Sequence, residues 1–287
     1  MVKKPKRKPS QGVVVPPVFK TILAFLQFIS PYLGMRWAAY FFGRPKRYKL
    51  QPREISVFNK SRRFLLEIEP LKKKIICYHW EGSGPKILLV HGWSGRAVNF
   101  CKIIEKLMEH HCDLYAFDAP AHGMSEGTTT NLPQFIACID ALVDNLDSID
   151  CILGHSGGGF AAAYHAAHRP QLKKIIIISS FDYVLDVFQN FSQWVQLGPK
   201  ATALMIDYFE QKTQHPIKQL SISKLAKNIK ANSLLIHDEN DKEVGFDQAL
   251  LIKKQLSNAT FLPTQNLGHR RILRDQKVVE QIANFIV

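Results

Sequence analysis

Residues 1–49 of this 287-residue chain contain eleven Lys and Arg and no acid; the first carboxylate is Glu54. Subtracting those eleven from the formal net charge of +14 leaves about +3 on the remaining 238 residues. The basicity is therefore a property of the N-terminus, and it gives no reason to read the body as a nucleic-acid binder. Cysteine is scarce as well. Cys77, Cys101, Cys112, Cys138 and Cys151 are odd in number, form no C-x-x-C pair and lie mostly within apolar runs. That pattern excludes a disulfide framework and a thiolate metal site, and it reads as reduced, structural thiols in a cytoplasmic setting. A membrane-spanning run is also missing. Within the apolar N-terminal segment 18–43, the longest charge-free stretch, Thr21 to Met35, has 15 residues and is interrupted by Pro31, whereas a spanning helix needs ~18–20. No clean A-x-A site follows the basic lead, so a secretory signal is a poor reading. There is no glycine-rich phosphate cradle with lysine, no dinucleotide fingerprint and no metal-ligand spacing, so no cofactor is implied.

What is present is an ordinary globular composition, 46% hydrophobic and 22% charged, with enough length for one large core. Residues 1–17 are Pro- and Lys-rich and read as a disordered tail. Residues 18–50 read as an apolar, aromatic helical extension that Pro31 splits in two. Residues 51–287 read as a single domain. In it, RRFLLEIE (62–69) and KKIICYHW (73–80) form a strand pair, and apolar strands follow at 86–90, 112–118, 151–154, 173–179, 232–238 and 260–263. Helical stretches at 97–110, 131–147, 157–168, 247–257 and 275–286 alternate with them. Continuous apolar strands between amphipathic helices predict an α/β fold, a mostly parallel sheet covered on both faces. The aromatic-rich interval of about 181–228 breaks this rhythm and reads as an insertion over one end of the sheet.

The chemistry centres on GHSGGG (154–159), which follows an apolar strand and precedes an alanine-rich helix. Gly154, Ser156 and Gly158 satisfy G-x-S-x-G, the turn that strains a serine outward where strand and helix backbones nearly touch. Serine needs a base, and the base an orienting acid. His269 lies in a Gly-flanked loop after the 260–263 strand. Asp241 lies just beyond the 232–238 strand; Asp238 is nearer the strand end, and Asp182, after the 173–179 strand, is a further alternative. Backbone N–H groups of Trp93 and Gly157 are the candidate oxyanion donors. His91, His122 and His155 read as loop-bonding or packing histidines, not bases.

Taken together, HGWSG (91–95), DAPAHGMSEG (118–127), GHSGGG, HDENDKEV (237–244) and GHRRIL (268–273) resemble, in order and spacing, the α/β-hydrolase superfamily of serine hydrolases, of the lid-bearing esterase and thioesterase type. The resemblance covers roughly residues 60–287. It implies an α/β-hydrolase fold with a helical lid, and cofactor-free cleavage of a carboxylic ester or thioester. In that scheme Ser156 is the nucleophile, His269 the base, Asp241 its partner, and Trp93 and Gly157 form the oxyanion hole. A serine nucleophile argues against epoxide hydrolase or dehalogenase chemistry. Gly157 departs from the larger side chain that many members carry there, which loosens the pocket floor without touching the N–H. The aromatic lid favours a substrate with an apolar group. Two rival readings stay open: an acyltransferase on the same triad, and a non-catalytic interaction module on a hydrolase scaffold. The resemblance says nothing about residues 1–50. Their apolar half-helices behind a basic tail suit peripheral contact with an anionic membrane on the cytoplasmic side, or docking on the domain.

Overall fold

The computed structural model describes residues 15–146 and 148–287. The disordered tail expected for residues 1–17 therefore lies outside the described residues as far as residue 14, and Pro17 already opens a helix. That helix, α1 (Pro17–Ile29), and α2 (Pro31–Phe42) each begin on a proline. Proline at the first helical position gives up only an N–H that would have no intrahelical acceptor. Ser30 lies between them and caps α2 by accepting the Tyr32 N–H.

A third helix, α3 (Pro52–Lys60), was not expected from the sequence. It is only nine residues long and buries just Glu54 and Val57, with Phe58 packed beside them, so its apolar stripe is too short to stand out in the sequence. Its start is fixed by a capping box, in which the Glu54 side chain accepts the Gln51 N–H at 2.9 Å.

The strand–helix series follows as β1 (Arg62–Ile68), β2 (Lys73–Trp80), β3 (Lys86–Val90), α4 (Cys101–Glu109), β4 (Asp113–Phe117), α5 (Leu132–Asp144), β5 (Cys151–His155), α6 (Gly157–His168) and β6 (Lys174–Ile178). Then come α7 (Val184–Val195), α8 (Pro199–Thr213) and α9 (Ile222–Leu225) within the insertion, and β7 (Asn232–Asp238), α10 (Phe246–Gln255), β8 (Ala259–Thr264), α11 (Gly268–Arg271) and α12 (Gln276–Ile286). The eight strands form one sheet in the order β1-β2-β4-β3-β5-β6-β7-β8. β1 and β2 are antiparallel at one edge, and every pair from β4 onward along the sheet is parallel. The helix expected over 97–110 opens as a 3-10 turn at Ala97–Phe100, and that over 131–147 stops at Asp144.

Strand side chains alternate between two cores. Leu88 and Val90 of β3 face one with Phe135 of α5 and Phe160 of α6. Ile87 and Leu89 face the other with Ile104 of α4 and Ile282 of α12. Burial on both sides explains why these strands read as unbroken apolar runs.

The N-terminal helices are part of this fold. α2 packs on α8 and α1 reaches α7, and Leu23, Met35 and Ala38 share one core with Phe188 and Phe209 of the insertion. The Gln27 side chain holds the turn between α7 and α8, donating to the Gln196 carbonyl and accepting the Gly198 N–H. Among the described residues, no helix is long and apolar enough to cross a membrane.

Candidate active site

Ser156 stands between the last residue of β5 and the first of α6, at φ 54° and ψ −122°. The left-handed φ is strained for a residue with a side chain, and its neighbours enforce it. A Cβ on Gly154 would sit 2.3 Å from the Gly158 carbonyl oxygen, and one on Gly158 would sit 2.2 Å from that of Val90. Strand and helix approach so closely that only glycine fits at either position. The turn is fixed by the Ser156 N–H, which donates to the Ile178 carbonyl at 2.9 Å, and by Ser180 Oγ, which donates to the Ser156 carbonyl at 3.0 Å.

Asp241 follows β7, and His269 lies in α11 after β8. The two form a buried pair in which His269 Nδ1 donates to Asp241 Oδ2 at 2.7 Å. Asp241 Oδ1 accepts the N–H groups of Glu243 and Val244 at 2.8 and 2.9 Å. Burial alone would raise the Asp241 carboxyl, but the His269 hydrogen bond and charge and the Val244 N–H hold it below the usual carboxylate range. Asp238 does a different job. It accepts Thr264 Oγ1 and the Leu267 N–H at 2.8 and 3.0 Å, which ties the loop carrying His269 to the end of β7. Asp182 accepts the Ser223 N–H and hydroxyl and anchors α9.

Trp93 and Ser94 form a four-residue turn closed by the Gly95 N–H on the Gly92 carbonyl. Gly92 lies against the serine; a Cβ there would be 2.9 Å from Ser156 Cβ. The Gly157 N–H opens α6, where first-turn N–H groups have no intrahelical acceptor. Ser156, Gly157, Trp93, Asp241 and His269 all line one cavity of about 1520 Å³. The structure thus joins Asp241 to His269 directly and puts the serine and both candidate N–H donors on the same walls. Ser156 Oγ makes no hydrogen bond among the described residues; such bonds commonly tighten only with substrate in place.

Three buried histidines hold the surrounding loops. His91 donates from Nδ1 to the Gly92 carbonyl at 2.7 Å and accepts the Ala119 N–H on Nε2 at 3.0 Å. His122 donates from Nδ1 to the Pro120 carbonyl at 3.1 Å and accepts the Ser94 N–H at 3.0 Å. His155, the residue before the serine, donates from Nε2 to the His269 carbonyl at 2.8 Å. Burial is the main cause that lowers all three, to about 4 for His91 and about 3 for His122 and His155, so each is a neutral imidazole.

Some of the site escaped sequence reading. Phe42, at the end of α2, packs on Phe188, Phe191 and Phe209 of the insertion at centroid distances of 4.7–5.3 Å, and all four rings line the cavity. The insertion's aromatics therefore both pack on one another and face the cavity. Beyond α2, Arg47 donates to the carbonyls of Ala121, Gly123, Ser125 and Gly127 at 2.7–3.1 Å, and the Lys46 N–H donates to Ser94 Oγ at 3.0 Å. Nothing local in the sequence marks these links, because their partners are carbonyls, a hydroxyl and rings far away along the chain. Arg44 and Thr130 are also among the residues around the cavity, and their Nε and Oγ1 atoms are buried without a hydrogen-bond partner among the described residues.

Loops bearing chemical groups, gathered at the carboxyl ends of a parallel sheet, define an α/β enzyme. The chain belongs to the alpha/beta hydrolase fold family, whose model matches residues 85–244, just over half of its length. It is 36% identical over 101 residues to a pimeloyl-[acyl-carrier protein] methyl ester esterase of Xylella fastidiosa. That match covers 34% of this chain and 38% of the relative. In three dimensions it is similar to an esterase from Pyrococcus furiosus, at a TM-score of 0.65 and 19% identity, over 84% of this chain and 97% of the other. It is also similar to a thioesterase domain from the curacin biosynthetic pathway, at a TM-score of 0.58 and 17% identity, over 79% of this chain and 99% of that one. At these identities the structural likenesses speak for the fold.

Proposed function

We propose that this chain is a serine hydrolase that cleaves a carboxylic ester or thioester carrying an apolar group. The observation that carries the reading is the buried 2.7 Å bond between His269 Nδ1 and Asp241 Oδ2, on the wall of the cavity that also holds the strained Ser156. In this mechanism His269 Nε2 takes the hydroxyl proton as Ser156 Oγ attacks the carbonyl carbon. Asp241 keeps the proton of the imidazole on Nδ1 and stabilises the cation that forms. The N–H groups of Trp93 and Gly157 receive the oxyanion. His269 then protonates the departing alcohol or thiol, and a water activated by the same imidazole hydrolyses the acyl-enzyme.

The ester-cleaving activity named for the Xylella fastidiosa relative agrees with this reading. The aromatic walls from Phe42 and the insertion suit an acyl or alkyl chain. All five cysteines are buried free thiols, which suits a reducing compartment. The test is turnover of a chain-length series of p-nitrophenyl esters and acyl-CoA thioesters, with Ser156→Ala as the control. The proposal expects a chain-length optimum above the shortest ester. It fails if no substrate is turned over faster by the native chain than by the variant.

A further inference from the structure

We propose that the outward face of the α1–α2 hairpin is a docking surface for an anionic lipid bilayer, on which the protein lies without crossing. α1 is apolar on both sides. Its inner side buries Leu23 against the insertion and α2. Its outer side leaves Val18, Ile22, Phe25 and Ile29 exposed, at steps of four, three and four that share one helical face. Phe28, 90% exposed, stands beside them, and Tyr32 and Leu33 carry the surface onto α2. Inner packing explains one apolar side of a helix and leaves the other without a cause. A contiguous exposed patch of this kind marks a binding surface.

Charge selects the occupant. The eleven Lys and Arg of residues 1–49 include Lys20 and Arg36 on the hairpin, Arg44, Lys46, Arg47 and Lys49 after it, and five more between residues 3 and 8, with no acid among them. A second copy of this chain would bring the same positive charge to the same face. An anionic bilayer instead offers acyl chains to the rings and opposite charge to the cations. With 13 residues, α1 is about 20 Å long, short of the ~30 Å hydrocarbon core. The helix therefore lies in the interface.

The surface also runs into the catalytic cavity. Phe19 of α1 packs on Trp37 and Phe41 of α2 at 4.2 and 4.9 Å. Phe41 is 39% exposed and lines the cavity that holds Ser156. A seated hairpin sets that wall beside the lipid, so the apolar ester of the proposed reaction is lipid-derived. This last clause rests on the hydrolase reading; the docking itself does not.

The test is flotation of the full-length protein with vesicles of phosphatidylcholine containing about one-third phosphatidylserine, and with vesicles of phosphatidylcholine alone. Flotation is expected with the anionic vesicles at low salt, and little with the neutral ones or at raised salt. The double variant Phe25→Asp, Phe28→Asp is expected to float ~10-fold less or worse. Its two sites are exposed, so its circular dichroism and its turnover of a short soluble ester stay as in the native chain. Ser156→Ala should float like the native chain. Flotation with no ester turnover would uphold the docking and remove the hydrolase reading. Three outcomes overturn the docking: no flotation at low salt, equal flotation of the double variant, or a solution dimer that the double variant splits into monomers.

Discussion

Asp241 uses its two oxygens differently. Oδ1 accepts two backbone N–H groups that fix the plane of the carboxylate, which leaves Oδ2 to meet His269 Nδ1. Asn at this position keeps the size and the backbone bonds but can favour the wrong imidazole tautomer. Asp241→Asn is therefore expected to lower kcat by ~10⁴, while Ser156→Ala or His269→Ala lowers it by ~10⁶, as for a triad that acts as a unit. Steady-state kinetics on one accepted ester, with circular dichroism to show the fold intact, checks the ranking. The neutral histidines make a separate prediction. His91, His122 and His155 sit at about 4, 3 and 3 in the fold, below the ~6.5 of an unfolded chain. Between those values the unfolded chain binds more protons, so stability is full above pH ~6.5 and is lost as pH falls toward the native values. Each fully linked histidine costs on the order of 1 kcal/mol per pH unit in that window. Urea unfolding at pH 7 and pH 5 measures it, and equal stabilities would mean that these imidazoles are not held neutral.

Among the elements, the segment after α2 works as a strap. Arg47 spreads over four carbonyls of the 121–127 loop, Lys46 reaches Ser94, and Arg96 Nη2 donates back to the Tyr48 carbonyl. His122 ties that loop in turn to Ser94, next to Trp93. Arg47→Ala is expected to loosen this loop and lower kcat/KM by ~10–100-fold, the scale of a small misplacement at a site. Arg47→Lys should recover little, because an ammonium cannot cover four acceptors as a planar fork does. Unchanged kinetics in both variants would show the strap to be idle. The Arg47 acceptors are carbonyls, which every residue carries, so sequence offered no sign of it. The strands were legible for the opposite reason. Their residues are buried on both sides by α4, α5, α6 and α12, and a run such as KILLV or KIIII has no other stable use. α3 was missed because it is a short helix of nine residues whose apolar face comes down to Val57 and Phe58, too few to stand out in the sequence.

For the whole molecule, the site residues that the sequence nominated lie around one cavity because each follows a strand of the same sheet, and strand order is readable. The place of the N-terminal helices was not. Their partners, Phe188, Met205 and Phe209, lie more than 140 residues further along, and apolar half-helices suit a membrane and a protein core equally well. The structure buries one face of them in the protein core and leaves the other exposed. Leu23 is wholly buried in the shared core, so Leu23→Ala is expected to cost ~2–5 kcal/mol of global stability. In urea this appears as a lower midpoint of a single transition; an unchanged midpoint would mean that the hairpin is not part of the cooperative fold. Removing residues 1–50 would bare the insertion's aromatic core, which is why point substitutions on the outer face are the sounder probe of docking. The central claim is that Ser156 is the nucleophile. Its most direct test is intact-mass and peptide mapping after treatment with an alkyl fluorophosphonate, which a serine activated by His269 attacks with loss of fluoride. The account predicts a single adduct on the peptide carrying Ser156, absent from Ser156→Ala and formed far more slowly in His269→Ala. No adduct, or one on a different serine, would contradict it.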